Sequence, residues 1–396
     1  MLARLRSRPA DTQERSTINL SQYAALWQDQ FVGYSPVPVS VQTAVTNAAC
    51  SAVIDTLATS VSTLPIDGVR VQGERRIPVT PTPSLLREPS LLDEQDVWMY
   101  KLVDSLMTDG NSFGEITSTT ALPTSIELID PGIVSDRRVI DGVPTVLVLG
   151  VRRKLWPYGD VWHVPGKFPK AGTPFAQSPI DRARSTIGAA IAARDFGAHF
   201  FADGGHPGGI LTKEGDLTSE QASALKRAFL AATRGNREPM VMSADTSYQP
   251  IMVDPNDSQF LDLMRFAVEE ACRFWKVPPS MVYAATSGQN VTYANVTQYD
   301  LNYLKHSLEG SLVRIEKALS RLLPKPQIAR FNRNAFLRSD PVTRSEVVDR
   351  RLKNKTMSVN QARALEDEQP WSDPEFDKPG IPGAAAPPAP PEATNA

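Results

Sequence analysis

The stretch 257-DSQFLDLMRFAVEEACRFWKVPPSMVYAATSGQNVTYANVTQYDLNYLKHSLEGSLVRIEKALSRLLP-324 governs how the rest of the chain is read. Its first third carries Phe260, Leu261, Leu263, Met264, Phe266, Ala267, Ala271, Phe274 and Trp275. These fill an apolar arc too wide for one neighbour, so the helix is expected to pack on more than one side. Pro278-Pro279 end it. The last third places Leu301, Leu304, Leu308, Leu312, Ile315, Leu319 and Leu322 at steps of three and four, a helix of about seven turns. Between them Ala284 to Asn295 form an uncharged loop bracketed by Tyr283 and Tyr293. It offers Gly288 for conformational freedom and Thr286, Ser287, Gln289, Asn290 and Thr292 as neutral hydrogen-bonding groups. It exceeds the usual helix–helix link. It is therefore either a plain surface connection or a loop held at a defined height in an assembly.

Upstream, Val41 to Leu64 spaces small apolar residues as one helix ended by Pro65. A second helix is expected from about Leu92 to Asp109, closed by Gly110-Asn111. Residues 112 to 165 alternate like short strands separated by DPG, DGVP and PYGD turns, so this first region is α+β. Pro179 suits a first helical turn capped by Ser178, and the helix it opens stops at Gly204-Gly205. A compact insert of about 203 to 255 follows, with a helix capped by Thr218 and Gln221. It sits between two helical segments, like a small domain carried on a stalk. After 325 the texture is mixed, with a capping box at Ser358 and Gln361. From Asp367 the chain is acidic and then Pro/Ala/Gly-rich, too poor in apolar groups to fold by itself.

Composition bounds the function. The 396 residues suffice for two or three subdomains. Proline is abundant, 33 residues or about 8% against a usual ~5%, which favours short elements and bends. The net charge of -2 excludes a broadly basic nucleic-acid grip. Cys50 and Cys272 read as two buried thiols. MLARLRSRPA lacks an apolar core for a secretory signal and reads as an N-terminal arm, and no window is apolar enough to span a membrane.

No phosphate-binding GxxxxGK[ST], HExxH or GxSxG occurs. Glycines and a proline separate His199 from His206, and Glu269-Glu270 point in different directions on their helix. No catalytic residue, cofactor or metal site is expected. Basic residues gather modestly between Arg330 and Lys355, balanced by Asp340, Glu346 and Asp349, as on a solvated face. The insert adds Lys213, Lys226, Arg227, Arg234 and Arg237, which could face a polyanion.

Taken in order, LMTDGNSFGEI, VWHVPG followed by SPIDRA, FFADGGHPGGILT, FWKVPPSMV with its polar loop, and LEGSLVRIEKALSRLLP resemble the HK97-like portal proteins of tailed phages over about 40 to 365. The family often has Leu-Gly where this chain has Met281-Val282-Tyr283 after its double proline. The resemblance implies an α+β portal fold with wing, helical stem, small α/β clip and helical crown. It would make 1–40 an arm, 41–178 the wing, 179–202 the first stem helix and 203–255 the clip. Residues 256–279 would be the second stem helix, 280–295 the tunnel loop, 296–324 a long wing/crown helix, and 325–366 the C-terminal wing/crown region. Residues 367–396 would be a disordered tail.

The resemblance further implies a homo-oligomeric ring, typically of twelve subunits, at one capsid vertex of the virion, built in the host cytoplasm. Double-stranded DNA passes through without sequence readout. Implied partners are the terminase large subunit, head-completion or tail adaptor proteins, and the major capsid or scaffold protein, with no membrane. The DNA-facing residues would be Thr286, Ser287, Gly288, Gln289, Asn290 and Thr292. Lys213, Lys226, Arg227, Arg234 and Arg237 would be clip contacts. The alternative is a head–tail adaptor or capsid component without a channel.

Overall fold

The computed structural model describes residues 38–117, 122–202, 209–213, 218–233, 246–250, 257–284, 299–336, 341–366 and 368–380. The chain divides into two compact units, 1–289 with 303–331, and 290–302 with 332–396.

The first unit is built on helices. One turn at Val41–Ala44 is followed by α1, Ala48–Ser62. The single helix expected from Val41 to Leu64 is thus two. Asn47 turns extended, and its side chain accepts hydrogen bonds from the amides of Ala49 and Cys50, so a cap forms where the apolar period runs on unbroken. α1 buries Val53, Ile54, Leu57, Ala58 and Val61. The antiparallel strands β1, Ile66–Gln72, and β2, Arg75–Pro78, follow. α2, Gln95–Thr108, packs on α1 and buries Trp98, Met99, Leu102, Val103 and Leu106.

Next come β3, Asn111–Ile116, and β4, Ile126–Ile129. They are followed by β5, Val134–Ile140, β6, Val143–Val148, β7, Val151–Lys154, and β8, Val161–Pro165. These strands make two antiparallel sheets, ordered β4-β3-β8 and β5-β6-β7. Phe113, Val146, Val148, Leu155, Val161 and Phe175 share one core. The α+β reading of this region holds.

The two sheet-forming segments are tied by polar groups with little or no exposure. Asn111 accepts from the amide of Ala176 at 2.8 Å, donates to the carbonyl of Ala176 at 2.8 Å, and meets His163 Nε2 at 3.1 Å. Arg137 forks onto Asp109 at 2.6 and 2.9 Å and lies 5.0 Å from the centre of the Phe113 ring. The Trp98 indole donates to the Ile126 carbonyl at 2.9 Å.

Ser178 caps a single turn, Pro179–Arg182, through the Asp181 amide as expected. The helix does not run on from there. Ala183 interrupts it before α3, Arg184–Ala202. β9, Gly209–Lys213, α4, Ser219–Thr233, and β10, Thr246–Pro250, come next, with β9 and β10 antiparallel. The cap read at α4 is present. Thr218 Oγ1 accepts from the Gln221 amide at 3.4 Å, and Gln221 Oε1 accepts from the Thr218 amide at 3.2 Å.

α5, Asp257–Trp275, packs on both α1 and α3, so it does meet more than one neighbour. The later helix is not uniform. A π-helical turn spans Leu304–Leu308 and passes into α6, Glu309–Ser320. Here the Ser307 hydroxyl donates to the Lys276 carbonyl. Leu304, Leu308, Leu312, Ile315 and Leu319 are buried as the period requires, but Leu301 stays exposed. β11, Gln327–Phe331, returns to pair with β1.

In the second unit, α7, Pro341–Lys353, precedes α8, Val359–Leu365. Ser358 and Gln361 form the capping box read from sequence. Ser358→Ala should weaken α8 by about 1 kcal/mol, measurable as faster amide exchange at Gln361. Unchanged exchange would mean the cap is idle. The acidic stretch is not structureless where it is described. Over 368–380, the Trp371 amide donates to Asn360 at 2.8 Å, Arg363 stacks 4.8 Å from the centre of the Trp371 ring, and Trp371 meets Phe376 edge-on at 4.6 Å. Two aromatic rings supply the packing that a count of acidic residues overlooked. Residues 381–396 lie outside the described residues.

Candidate functional site

α3 and α5 each have 19 residues, about 28 Å of helix. Their burial is uneven. α5 is anchored at its C-terminal end, where Ala271, Cys272 and Trp275 are buried and the Trp275 indole donates to the Met107 carbonyl at 3.4 Å. α3 is anchored near its start by Ile187 and Ile191. Away from these anchors the apolar face is open. Leu263 is 50% exposed and Phe266 48% exposed on α5, and Phe196 is exposed on α3. Two helices rooted in a core at one end thus carry large apolar groups outward.

α5 stops abruptly. Lys276 takes a left-handed φ of 64°, and the Val277 amide donates back to the Cys272 carbonyl at 2.9 Å. Pro278 and a 3-10 turn, Pro279–Val282, then deliver Tyr283, which has φ 54° and is 99% exposed. This rigid elbow leads into 285–298, which lies outside the described residues together with Thr286, Ser287, Gly288, Gln289, Asn290 and Thr292.

In the insert, Lys226 and Arg227 are exposed on α4, and Arg227 Nε donates to the Ser223 carbonyl at 3.4 Å. Lys213 ends β9 opposite Thr246. Arg234 and Arg237 fall outside the described residues. The 330–355 basic cluster is a solvated face where it is described. Arg350, Arg351, Lys353 and Lys355 are exposed, and Lys353 pairs with Asp349 at 2.5 Å.

Among the described residues no group of three or more His, Cys, Asp or Glu side chains converges as metal ligands would, and no helix is long and apolar enough to cross a membrane. The two thiols are free and buried. Burial pushes Cys50 up to about 11 and also raises Cys272. His163 lies between Phe113 at 5.0 Å and Phe175 at 5.3 Å, and burial, aided by Arg137 and Arg321, pushes its pKa down to about 3. It is a neutral core histidine.

Sequence reasoning missed Asn111, read as a helix terminator, and a convergence of cations around Phe168. The only sequence trace of the first was a polar residue opening an apolar strand. The second joins residues far apart in the chain and left no local signal.

The family model for phage portal proteins matches residues 48–367. A probable portal protein of Streptomyces phage phiC31 is 27% identical over 346 residues, 80% of this chain and 73% of that protein. The portal protein of Enterobacteria phage HK97 is 27% identical over 201 residues, 49% of this chain and 47% of its own length. Among solved structures, an HK97 family phage portal protein from Corynebacterium diphtheriae superposes with a TM-score of 0.58 at 16% identity, over 77% of this chain and all of that one. A chain from the neck of a native gene transfer agent particle, computed with C12 symmetry, gives 0.55 at 17% identity, covering 83% and 92%. The match over most of the chain, the fold and the projecting helix pair agree: this chain belongs to the phage portal protein family, in its HK97-like branch.

Proposed function

We propose that this chain is the repeating subunit of a ring at the unique capsid vertex, through which double-stranded DNA enters and leaves the head. Family membership supplies the role. The observation in this molecule that carries it is the open apolar face of α3 and α5, at Leu263 and Phe266. A lone chain would leave that face to water, whereas a ring covers it with the next copy. Twelve copies fit the C12 neck with which the fold is shared.

In this reading α3 and α5 are the stem, the β9–α4–β10 insert is the clip, and 284–295 is the tunnel loop. Thr286, Ser287, Gly288, Gln289, Asn290 and Thr292 would touch the duplex with neutral groups. Cations repeated around a ring would instead hold phosphates with an affinity summed over every contact. The clip, through Lys213, Lys226, Arg227, Arg234 and Arg237, would dock the terminase large subunit during filling and head-completion or tail adaptors afterwards. The subunit performs no catalysis, and the ATP-driven motor is a separate protein. The crown would face the head interior, with the major capsid or scaffold protein around the vertex.

The test is the mass of the purified assembly together with negative-stain images. A closed ring with an opening wide enough for a DNA duplex is expected. A monomer, or a ring without an opening, would overturn the reading, and the latter would favour a head–tail adaptor.

A further inference from the structure

Four cations converge at the root of α5. Phe168 packs on Phe274 with ring centres 5.8 Å apart. Arg182 lies over the Phe168 ring at 4.3 Å, and Lys167 at 5.7 Å. The Lys167 ammonium donates to the Phe274 carbonyl at 3.1 Å, at the negative end of the helix. Lys276 and Arg314 are near enough to repel it. Among the described residues none of these four forms an ion pair with a carboxylate, although Lys167 and Arg314 are half-buried. Burial, then the repulsion of Lys276 and Arg314, pushes Lys167 down to about 8, and burial lowers Arg314. Partly desolvated cations gathered without a counter-charge are unfavourable unless an anion arrives.

The same chain carries the complement. Asp104 is half-buried on α2, and its carboxylate has no hydrogen-bond or ion-pair partner among the described residues. Its pKa is raised by burial alone, so it lies beyond the reach of the cation cluster within its own chain. One turn away Tyr100 donates to Asp55 at 2.8 Å, which keeps a second carboxylate beside it. In a ring, one surface of each subunit meets a different surface of the next, so opposite charges on two patches of one chain can meet around the circle.

We propose that Lys167, Arg182, Lys276 and Arg314 form a docking surface for a second copy of this chain, receiving the carboxylate of its Asp104. The inference rests on the ring reading above and adds the charge pairing that sets the contact. DNA phosphate is the weaker occupant. Half-buried cations are reached by a carboxylate on a slender side chain more easily than by a rigid duplex. Four cations per subunit, repeated around a ring, would also brake a strand that has to move.

The test is assembly of single charge reversals and of their mixture. Arg314→Glu alone and Asp104→Arg alone should each raise the subunit concentration needed for ring formation at least ~10-fold, because like charges then face each other. Lys276→Glu, at an exposed position, should act in the same direction without threatening the fold. Circular dichroism should show each variant folded. Mixing R314E with D104R should restore rings, since in an alternating ring every contact again joins opposite charges. Three results would overturn the proposal: wild-type assembly in the single variants, no rescue in the mixture, or loss of duplex DNA binding in K276E while its rings persist. If the wild-type chain itself forms no ring, the ring reading falls first and this one with it.

Discussion

Gly110→Ala is expected to destabilise the first unit by about 3 kcal/mol or more. Gly110 joins α2 to β3 at φ 83°, a left-handed conformation that costs a side chain ~1–2 kcal/mol. Space is the larger obstacle. A Cβ there would lie 2.4 Å from the Gln177 carbonyl oxygen and 2.9 Å from its carbon, both backbone atoms. The turn has little room to yield, because the Gly110 carbonyl accepts from the Gly166 amide at 2.8 Å, and Gly166 is itself packed against that carbonyl. Gly150 supplies the control, since it has φ 83° with nothing within 4 Å of its Cβ position. Gly150→Ala should therefore show the conformational cost alone. Urea unfolding of both variants separates the two effects, and equal losses would mean that the Gln177 contact yields without cost.

The second large effect is on acid stability. His163 titrates at about 3 in the folded chain and near its ordinary 6.5 once unfolded. The unfolded chain therefore takes the proton first. This contribution is fully present above about pH 6.5 and is lost as pH falls toward 3. Between pH 7 and pH 4.5 the loss is about 2–3 kcal/mol. His163→Leu removes the titrating ring and leaves the Asn111 carbonyl oxygen bonded to the Ala176 amide. Its stability should change less over that interval, by about the same amount. An acid dependence identical to the wild type would show that His163 does not drive it.

Much of the fold is legible in the sequence because it is written locally. The period of α5, the cap at Thr218 and Gln221, and the box at Ser358 and Gln361 each depend on residues within a few positions of one another. The readings that miscarried share a cause. The break at Asn47 and the π-helical turn at Leu304–Leu308 lie inside apolar periods that continue through them, so spacing alone cannot show them. Asn111 gains its importance from Ala176, 65 positions away. Lys167 meets Phe274 across 107 positions. Such partners are brought together only by the packed core. The functional site divides the same way: the stem helices and the double-proline elbow could be read from spacing, while the charged root of the stem could not.

The two buried thiols have a practical consequence. The nucleophile in alkylation is the thiolate, and with Cys50 pushed up to about 11 and Cys272 also raised, neither is ionised to any useful degree near neutral pH. The folded chain is therefore almost silent toward maleimides. One cysteine introduced at an exposed position such as Lys226 would become its sole reactive handle. A fluorophore placed there would report on the surface of the insert without any native residue having to be removed first.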